Sequence, residues 1–368
     1  MGGGAGKRVA VVFHEPVRGG ATVSVLRAIP HLVERGWEPS FWVDRPSELH
    51  DHLAAEGYDV DGAPRHVGFS VQWLRHPPGP AAKLRSMPAW FAGLRRFLRD
   101  RRPHLVHANT LYTLADAAVA RAQRLPVLLH VHEMLPAGRK GAAARAAARG
   151  LGLQVAAVSQ ASARRWAGAG PLPAIVHEST TLPPPGLERR RNGHPVVGTV
   201  GWVCRRKGSD LFVEAARLVR ERRPDVEFRL VGEERDTPER HWAGEVLRRA
   251  QRAGVVHVPR ADTFHELAGW DVFVLPSRAD PFPLVVLEAM ASGVPPVCTR
   301  VDGMAEQITD ATGVLTAPED PAALADGILR ALADGGAMGA AARERVTARF
   351  LAEHQAQQLD ALYRRMAR

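Results

Sequence analysis

Short apolar, β-branched segments alternate with longer Ala-, Leu- and Arg-rich segments along the whole chain of 368 residues. This alternation is typical of βαβ units, in which parallel strands form a sheet and helices cover its faces. Because one hydrophobic core seldom organises so many residues, we expect two doubly wound α/β domains. The predicted strands are residues 8–14, 39–44, 104–110, 126–132 and 154–159 in the first half, and 195–201, 226–232, 255–259, 271–276 and 295–299 in the second.

The Pro- and Arg-rich segment 183–194 predicts a linker between the domains. It separates a Rossmann-like domain of residues 1–182 from a second one of residues 195–345, and an amphipathic helix is predicted at 346–368. Ligands of doubly wound sheets bind beyond the carboxyl ends of the strands. Functional residues are therefore expected in the loops that follow strands, around a cleft between the two domains.

Composition is that of a globular protein, with 45% apolar and 24% charged residues. The chain has no run of about 18 apolar residues, no apolar signal core in MGGGAGKR, and only two cysteines, so we expect a cytoplasmic protein. Residues 1–180 contain 23 basic and 13 acidic side chains, whereas residues 181–368 contain 26 of each. The net charge of +10 therefore favours an anionic partner or peripheral membrane contact through the first half. We expect no nucleic-acid partner.

The segment GWVCRRKGSDLF follows a predicted strand and begins a predicted helix. Basic side chains beside the N–H groups of a helix N-terminus bind anions. Arg205, Arg206 and Lys207 are therefore candidates for a phosphate site, although the triplet also fits a solvated basic turn. The absence of a Walker loop and of a GxGxxG motif disfavours a P-loop ATPase and a nicotinamide dehydrogenase.

The segment LPSRADPFPLVVLEAM joins a strand to an apolar helix and carries two carboxylates eight positions apart, Asp280 and Glu288. The helix-starting amides of Leu284 and Val285 suit a phosphate. Carboxylates accept hydrogen bonds from sugar hydroxyls, so the two acids predict a sugar-nucleotide site. The alternative is two unrelated acids, one in a solvated loop and one on a helix face.

In the first half, Gly19 and Gly20 stand between a strand and a helix. Their missing side chains admit a phosphate or an acceptor close to the backbone, and a simple turn is the alternative. The segment HVHE places His130 and His132 on one side of a strand, with His107 on the next strand. We expect no metal there, because zinc needs a further well-placed ligand.

Residues 81–105 carry apolar side chains at helical spacing. These are Trp90, Phe91, Leu94, Phe97 and Leu98, with Arg95, Arg96, Arg99, Arg101 and Arg102 around them. An ordinary helix packed on the sheet explains this pattern. A basic amphipathic helix that touches anionic lipid or a phosphate-bearing acceptor explains it too.

As a set, the motifs of this chain resemble those of the retaining glycosyltransferases of family 4, and the resemblance covers nearly the whole chain. The motifs are RRKG, DPFPLVVLEAMASG and VDGMAE in the second half, and GGA, HANT, HVHE and AVSQAS in the first half. The resemblance implies the GT-B fold, in which two Rossmann-like domains face an interdomain cleft. It also implies metal-independent transfer from a nucleotide-diphosphate sugar without a cofactor, a UDP-sugar being favoured over a GDP-sugar. The acceptor is expected to be a glycan, a lipid-linked molecule or a small natural product.

The resemblance implies roles for individual residues. Lys207 and a nearby arginine neutralise the leaving diphosphate, Asp280 holds hydroxyls of the donor sugar, and Glu288 holds the ribose. The catalytic residues are then His132, Lys207 and Asp280. The donor-binding set is Gly20, Arg205, Arg206, Lys207, Gly232, Asp280, Phe282, Leu284, Val285 and Glu288. The acceptor-side set is Gly19, Gly20, Asn109, His132 and Glu133.

Three residues depart from the family pattern and leave the donor open. Asp280 replaces the usual Glu, Pro283 replaces a loop glycine and lacks its N–H, and Trp202 replaces an arginine. A sugar-nucleotide epimerase or hydrolase of the same fold, or an inactive nucleotide-sugar-binding protein, therefore stays as an alternative.

Overall fold

A computed structural model describes residues 6–63, 80–190, 192–234, 238–334 and 336–367. The chain divides into two compact units, the first made of Met1–Glu178 with Ala352–Arg368 and the second of Ser179–Leu351. Each unit contains one sheet whose described strand pairs are all parallel. The prediction of two doubly wound α/β domains is confirmed, and the predicted linker, 183–194, falls within the second unit.

The first unit has helices on both faces of its sheet. Its described strands are β1 Lys7–Val12, β2 Trp37–Asp44, β3 Asp59–Ala63, β4 Leu105–Asn109, β5 Val127–Val131, β6 Gln154–Ala157 and β7 Ala174–Ile175. Its helices before the second unit are α1 Gly20–Glu34, α2 Glu48–Ala55, α3 Pro80–Arg101, α4 Leu114–Ala122, α5 Arg139–Gly150 and α6 Gln160–Ala167. The strand order is β3-β2-β1-β4-β5-β6-β7.

The second unit repeats this layered arrangement. Its described strands are β8 Val196–Val200, β9 Glu227–Val231, β10 Val255–Val258, β11 Val272–Leu275, β12 Pro296–Thr299 and β13 Val314–Thr316, in the order β10-β9-β8-β11-β12-β13. Its helices are α7 Ser209–Arg222, α8 Arg240–Arg252, α9 Thr263–Leu267, α10 Leu284–Ala291, α11 Met304–Gln307, α12 Pro321–Ala333 and α13 Ala337–Arg349.

In both sheets the strand order reverses at the same place, beside the first strand of the unit. In the first sheet β1 lies between β2 and β4, and in the second β8 lies between β9 and β11. The carboxyl edge beside such a switch is where doubly wound sheets bind ligands. The loops after β1, β4 and β5, and those after β8, β9 and β11, are therefore the places to look for sites.

The C-terminal segment forms two helices rather than one. Helix α13 ends at Arg349 in the second unit, and α14, Ala352–Met366, belongs to the first unit. The buried face of α14 joins the core beside α1, where the Gln355 side chain hydrogen-bonds to the Ser24 hydroxyl. Three short strands, β3, β7 and β13, were not predicted, because none of them carries an apolar run long enough to be recognised.

Helix α3 packs against its own sheet. The side chains of Trp90, Leu94 and Phe97 are at most 1% exposed, and Trp42 of β2 contacts two of these rings. This packing agrees with the ordinary-helix interpretation, because the apolar stripe is already covered. Among the residues described, no helix combines the length and apolar character that crossing a membrane requires.

Candidate functional site at the two sheet edges

The carboxyl ends of β8 and β9 meet at two glycines, Gly201 and Gly232. Their φ angles of 152° and 153° lie where only glycine is comfortable. A Cβ on Gly232 would stand 1.8 Å from the carbonyl oxygen of Gly201, so the two backbones approach too closely for any side chain. The Lys207 side chain passes 3.7 Å from the place where a Cβ of Gly201 would stand. Gly232 thus lets the two strand ends approach closely, and Lys207 packs over Gly201.

Lys207 and Asp280 form an ion pair at this edge. Lys207 Nζ lies 2.7 Å from Asp280 Oδ2, and Arg206 Nη1 lies 3.3 Å from the same oxygen. The Asp280 and Lys207 side chains are 8% and 14% exposed, whereas that of Arg206 is 51% exposed. A buried carboxylate is tolerated because it is paired. The structure therefore joins two predicted catalytic residues by a direct contact that the sequence did not predict.

The loop that carries Lys207 is tied to the loop that carries Asp280 by Arg278. The backbone N–H of Arg278 donates to Arg206, and its guanidinium donates to the carbonyl of Arg205 at 2.7 Å. The same guanidinium makes two bonds to Asp210, at 2.8 and 2.9 Å. It also bonds Glu319, and these two carboxylates raise the pKa of Arg278. This network holds the ion pair in place.

The Arg205 side chain lies elsewhere. Its guanidinium stands 4.9 Å above the ring of Trp242 in α8, and its backbone N–H donates to Glu239 at 3.0 Å. Of the three predicted basic residues, the described contacts thus bring Arg206 and Lys207 to Asp280, but not Arg205.

The segment before α10 is held by hydrogen bonds to residues in α11 and just before it. The backbone N–H of Asp280 donates to the Asp302 carboxylate at 2.8 Å, and Gln307 donates to the carbonyl of Pro283 at 3.0 Å. The Phe282 ring is 4% exposed and packs 5.7 Å from that of Phe350, centroid to centroid. Phe282 is therefore placed in the packing that fixes the loop.

Helix α10 begins at Leu284 with an open N-terminus. Pro283 is its N-cap, and neither a side-chain cap nor an acidic residue in the first turn is present among the described residues. The amides of Leu284 and Val285 therefore sit at an uncompensated positive helix end. Glu288 is the fifth residue of α10 and is 7% exposed.

In the first unit, the loop after β1 carries two ionisable side chains, those of His14 and Glu15. His14 Nδ1 lies 2.9 Å from the Thr110 hydroxyl, and His14 Nε2 lies 3.4 Å from Glu15 Oε1. The other Glu15 oxygen stands 2.0 Å from the place where a Cβ of Gly19 would be, at the N-terminus of α1. The space opened by Gly19, beside the exposed Gly20, therefore adjoins a carboxylate of the chain itself.

The loop after β5 carries His132 and Glu133. His132 Nδ1 lies 2.6 Å from Glu178 Oε1, and burial lowers the pKa of His132 to about 3. The Glu133 carboxylate accepts the backbone N–H groups of Leu111 at 3.2 Å and His132 at 3.1 Å. Burial raises the pKa of Glu133 to about 7, which outweighs these two bonds.

Asn109 is the last residue of β4, and Thr110 follows it. The Asn109 amide donates to the carbonyl of Ala21 in α1 at 3.2 Å. Thr110 has φ of 86°, an outlier for a β-branched residue, and its N–H donates to the carbonyl of His130 at 2.7 Å. Such strain costs about 1–3 kcal/mol and concentrates at functional sites.

His107, His130 and His132 form a buried row. The ring centroids are 5.3 Å apart for the first two and 4.1 Å apart for the last two, and His107 Nδ1 lies 2.6 Å from the Tyr363 hydroxyl. Burial lowers the pKa of each ring well below 6.5, so the row is neutral at pH 7. Within the described ranges, no group of three or more His, Cys, Asp or Glu side chains is arranged to hold a metal ion.

Sequence reasoning missed three residues of these edges. Arg278 and Asp302 lie inside segments that the motifs had already singled out, but their partners are distant in sequence. Glu178 follows β7, a strand of two residues whose pattern gave no signal.

Comparison with known proteins identifies relatives for both units. The family model described as "Glycosyl transferases group 1" matches residues 194–334, and the one described as "Glycosyl transferase 4-like domain" matches residues 19–164. The first match contains the Lys207–Asp280 pair, and the second contains His132 and Glu133.

Two relatives and one solved structure show the extent of the similarity. The D-inositol 3-phosphate glycosyltransferase of Arthrobacter sp. (strain FB24) is 38% identical over 153 residues, which are 39% of this chain and 36% of that protein. The glycogen synthase of Mycobacterium tuberculosis is 30% identical over 284 residues, 68% of this chain and 66% of that protein. The structure of Anabaena Alr3699/HepE in complex with UDP and glucose covers 96% of this chain and 98% of that chain, with a TM-score of 0.78 and 21% identity. The fold is GT-B, as the sequence resemblance implies.

Proposed function

The chain belongs to the group 1, family-4-like glycosyltransferases, and from that membership we propose that it transfers a sugar from a nucleotide-diphosphate sugar to an acceptor hydroxyl. The observation that carries the proposal is the Lys207–Asp280 pair at the carboxyl edge of the second sheet. This edge offers positive charge and the helix-end amides of α10 to a diphosphate, and a carboxylate to sugar hydroxyls.

Donor binding exchanges the partners of the ion pair. Lys207 and Arg206 turn to the diphosphate with the amides of Leu284 and Val285, and Asp280 accepts hydroxyls of the sugar. Glu288 accepts the ribose hydroxyls. Because each buried charge receives a new partner, neither is left unpaired, which is the costly outcome for a buried pair.

The chemistry is front-face displacement with retention of anomeric configuration. Lys207, Arg206 and the N-terminus of α10 neutralise the departing diphosphate, so the proposed mechanism uses no metal and no cofactor. A UDP-sugar is the favoured donor, an assignment supported by the HepE structure, which is a complex with UDP and glucose. The acceptor side is assigned to Gly19, Gly20, Asn109, His132 and Glu133 of the first unit.

The acceptor is proposed to be a glycan, a lipid-linked molecule or a natural-product hydroxyl. The relatives differ on this point, since one is described as acting on D-inositol 3-phosphate and another as a lipopolysaccharide core mannosyltransferase. Peripheral contact with an anionic membrane through the exposed arginines of α3 belongs to the same proposal.

A donor and acceptor panel tests the function. Purified protein is incubated with radiolabelled UDP-glucose or GDP-mannose, with and without acceptor extracts and with and without EDTA, and NMR reads the anomeric configuration of the product. Acceptor-dependent product of retained configuration is expected, and the Asp280→Asn and Lys207→Ala proteins should lose it. Donor consumption without acceptor would identify a hydrolase or epimerase, and donor binding without turnover would identify an inactive protein.

A further inference from the structure

A buried hydrogen bond joins two loops at the carboxyl edge of the first sheet. His132 follows β5 and Glu178 follows β7, 46 positions later, and their side chains are 3% and 6% exposed. The bond between His132 Nδ1 and Glu178 Oε1 measures 2.6 Å, which is short for a nitrogen–oxygen pair. Glu178 therefore sets the orientation of the His132 ring.

Together with an ionised Glu178, the bond determines which ring nitrogen carries the proton. His132 is neutral at pH 7, and a neutral imidazole has one N–H and one lone pair. An ionised carboxylate only accepts hydrogen bonds, so a proton on Nδ1 pairs with Glu178 and leaves the lone pair on Nε2.

Nε2 of His132 is buried and has no hydrogen-bond partner among the residues the structure describes. A buried polar atom without a partner is uncommon in native proteins, and a ligand or an ordered water can satisfy it. The ionisable side chains that influence the ring are those of His14 and Glu15 at the end of β1, beside the glycine loop assigned to the acceptor side. The lone pair thus belongs to the part of the first unit that the proposed function assigns to substrate.

We propose that Glu178 is a positioning residue that holds His132 as the Nδ1–H tautomer, so that Nε2 accepts a hydrogen bond from a substrate hydroxyl. The inference rests on the proposed sugar transfer and adds the chemistry of one contact. The lone pair needs a hydrogen-bond donor, and an ionised phosphate or carboxylate oxygen has no proton to donate. The substrate group at this point is therefore an uncharged hydroxyl, and any phosphate on the substrate lies elsewhere.

NMR of ¹⁵N-histidine-labelled protein reads the tautomer directly. In the wild type at pH 7 we expect the Nδ1 signal of a protonated nitrogen and the Nε2 signal of an unprotonated one, assigned by their loss in His132→Gln. Glu178→Gln should populate the opposite tautomer, because an amide also donates to Nδ1. A wild-type ring protonated on Nε2 would mean that Glu178 itself donates, and the proposal is then wrong.

Kinetics test whether Glu178 acts through His132. Glu178→Gln should lower kcat about 10- to 100-fold, as happens when the carboxylate that orients a metal-bound histidine is removed, with the donor KM little changed. His132→Asn keeps a donor toward Glu178 but lacks the Nε2 position, and should lose as much as His132→Ala. In the His132→Asn background, Glu178→Gln should cost nothing further, since residues that act as a unit are not additive. Independent losses would contradict the inference.

Asp360→Asn is the matched control for a purely structural bond. Its carboxylate accepts the Trp37 indole N–H at 2.7 Å in the same unit, at the amino end of β2. We expect a lower Tm with kcat per folded molecule maintained. The same result for Glu178→Gln, a lower Tm with wild-type kcat, would make the His132 pair structural only.

Titration with four compounds distinguishes a failure of this inference from a failure of the proposed function. The compounds are UDP-glucose, GDP-mannose, UDP and GDP. The donor sugar nucleotide and the acceptor are added separately. One of them should shift the Nε2 signal of His132, whereas the free diphosphate should not. Transfer activity without such a shift overturns the inference and spares the function. A protein that neither binds nor turns over either sugar nucleotide overturns the proposed function, and the substrate contact at Nε2 falls with it.

Discussion

The two units share a strand order yet place opposite chemistry at the same edge. In the second unit, full charges meet at the edge, with Lys207 and Arg206 on the buried Asp280 and Arg278 tying the loops together. In the first unit the edge holds a neutral His132, and burial raises the pKa of Glu133 to about 7. The difference shows that a doubly wound sheet fixes where a site lies, while its loops decide what the site does.

The difference also fits the two halves of the proposed reaction. A departing diphosphate needs positive charge, which Lys207 and Arg206 supply once donor binding has turned them from Asp280 to the diphosphate. A hydroxyl needs neutral or weakly acidic hydrogen-bond partners, which buried histidine and glutamate side chains supply.

Removal of the Lys207 side chain, at the carboxyl edge of the second sheet, should cause the largest loss of activity. Lys207→Ala takes away a charge partner of the leaving diphosphate, so kcat/KM should fall by about 2–4 kcal/mol. Steady-state kinetics with the best donor provide the measurement. Arg222→Ala, which breaks an exposed ion pair with Asp326 in the same unit, is the control and should change little. Wild-type turnover by Lys207→Ala with every donor would reject the assignment of this edge.

Mild acid should destabilise the first unit selectively. His107, His130 and His132 are neutral when folded, because burial lowers the pKa of each. Their stabilising contribution is present above the unfolded pKa of about 6.5 and is lost as pH falls below it, by about 1 kcal/mol for each ring between pH 6.5 and 5.5. Glu133 opposes this by about 1 kcal/mol, because its folded pKa of about 7 is raised. The net loss should be about 2 kcal/mol.

Hydrogen exchange resolved by peptide measures this loss in each unit at the two pH values. The described histidines of the second unit are exposed or half-buried and should contribute little. Glu133→Gln removes the opposing effect, so the loss in the first unit should grow to about 3 kcal/mol. Equal losses in both units would show that the buried histidines are not the cause.

The two carboxylates at the carboxyl edge of the second sheet, Asp280 and Glu288, should have different roles in binding the donor. Glu288→Gln keeps the shape of the side chain but weakens charge-assisted bonds, so affinity for the nucleotide should fall by about 1–3 kcal/mol. Asp280→Asn should depress kcat more than nucleotide affinity, because its proposed partners are on the sugar. Calorimetric titration with UDP and with GDP separates the two variants. If Asp280→Asn abolishes nucleotide binding and Glu288→Gln leaves it intact, the roles are reversed.

Glycines at the two edges should differ in their tolerance of a methyl group. Gly232→Ala meets the backbone of Gly201 at a φ of 153° and should cost about 1–3 kcal/mol of unfolding free energy. Gly19→Ala meets only the Glu15 side chain, which can move, and Gly19 has an ordinary φ of −72°, so we expect less than about 1 kcal/mol. Chemical denaturation measures both, and an equal cost would mean that Glu15 is held as firmly as backbone.

The smallest effect is expected on the outer face of α3. The side chains of Arg95, Arg96 and Arg99 are exposed. Replacing them with glutamine should change the free energy of unfolding by no more than about 0.5 kcal/mol each. Flotation with anionic vesicles at low salt tests the membrane proposal, in which each arginine near the surface contributes about 1 kcal/mol. Vesicle binding that the triple variant retains would remove α3 from that proposal.

The sequence was most informative where a site is contiguous. Asp280, the N-terminus of α10 and Glu288 all lie in one 16-residue segment, and the position of each followed from a strand that runs into a helix. The first edge was harder to predict, since His132 gains its partner Glu178 from beyond a strand of only two residues. Arg205 was placed with the donor because of its neighbours in sequence, but the tertiary structure turns its side chain onto Trp242.

By itself the sequence determined the repeated βαβ rhythm, the two sheets and the loops that hold the candidate residues, because periodicity and helix-start signals are local. Tertiary structure decided which of those residues touch. The Lys207–Asp280 and His132–Glu178 bonds join positions 73 and 46 apart. The first joins the loops after the neighbouring strands β8 and β11, and the second joins the segments after β5 and β7, which β6 separates. The charge of each group was decided at the same level, because burial, which lowers the pKa of His132 and raises that of Glu133, comes from packing that no single segment encodes.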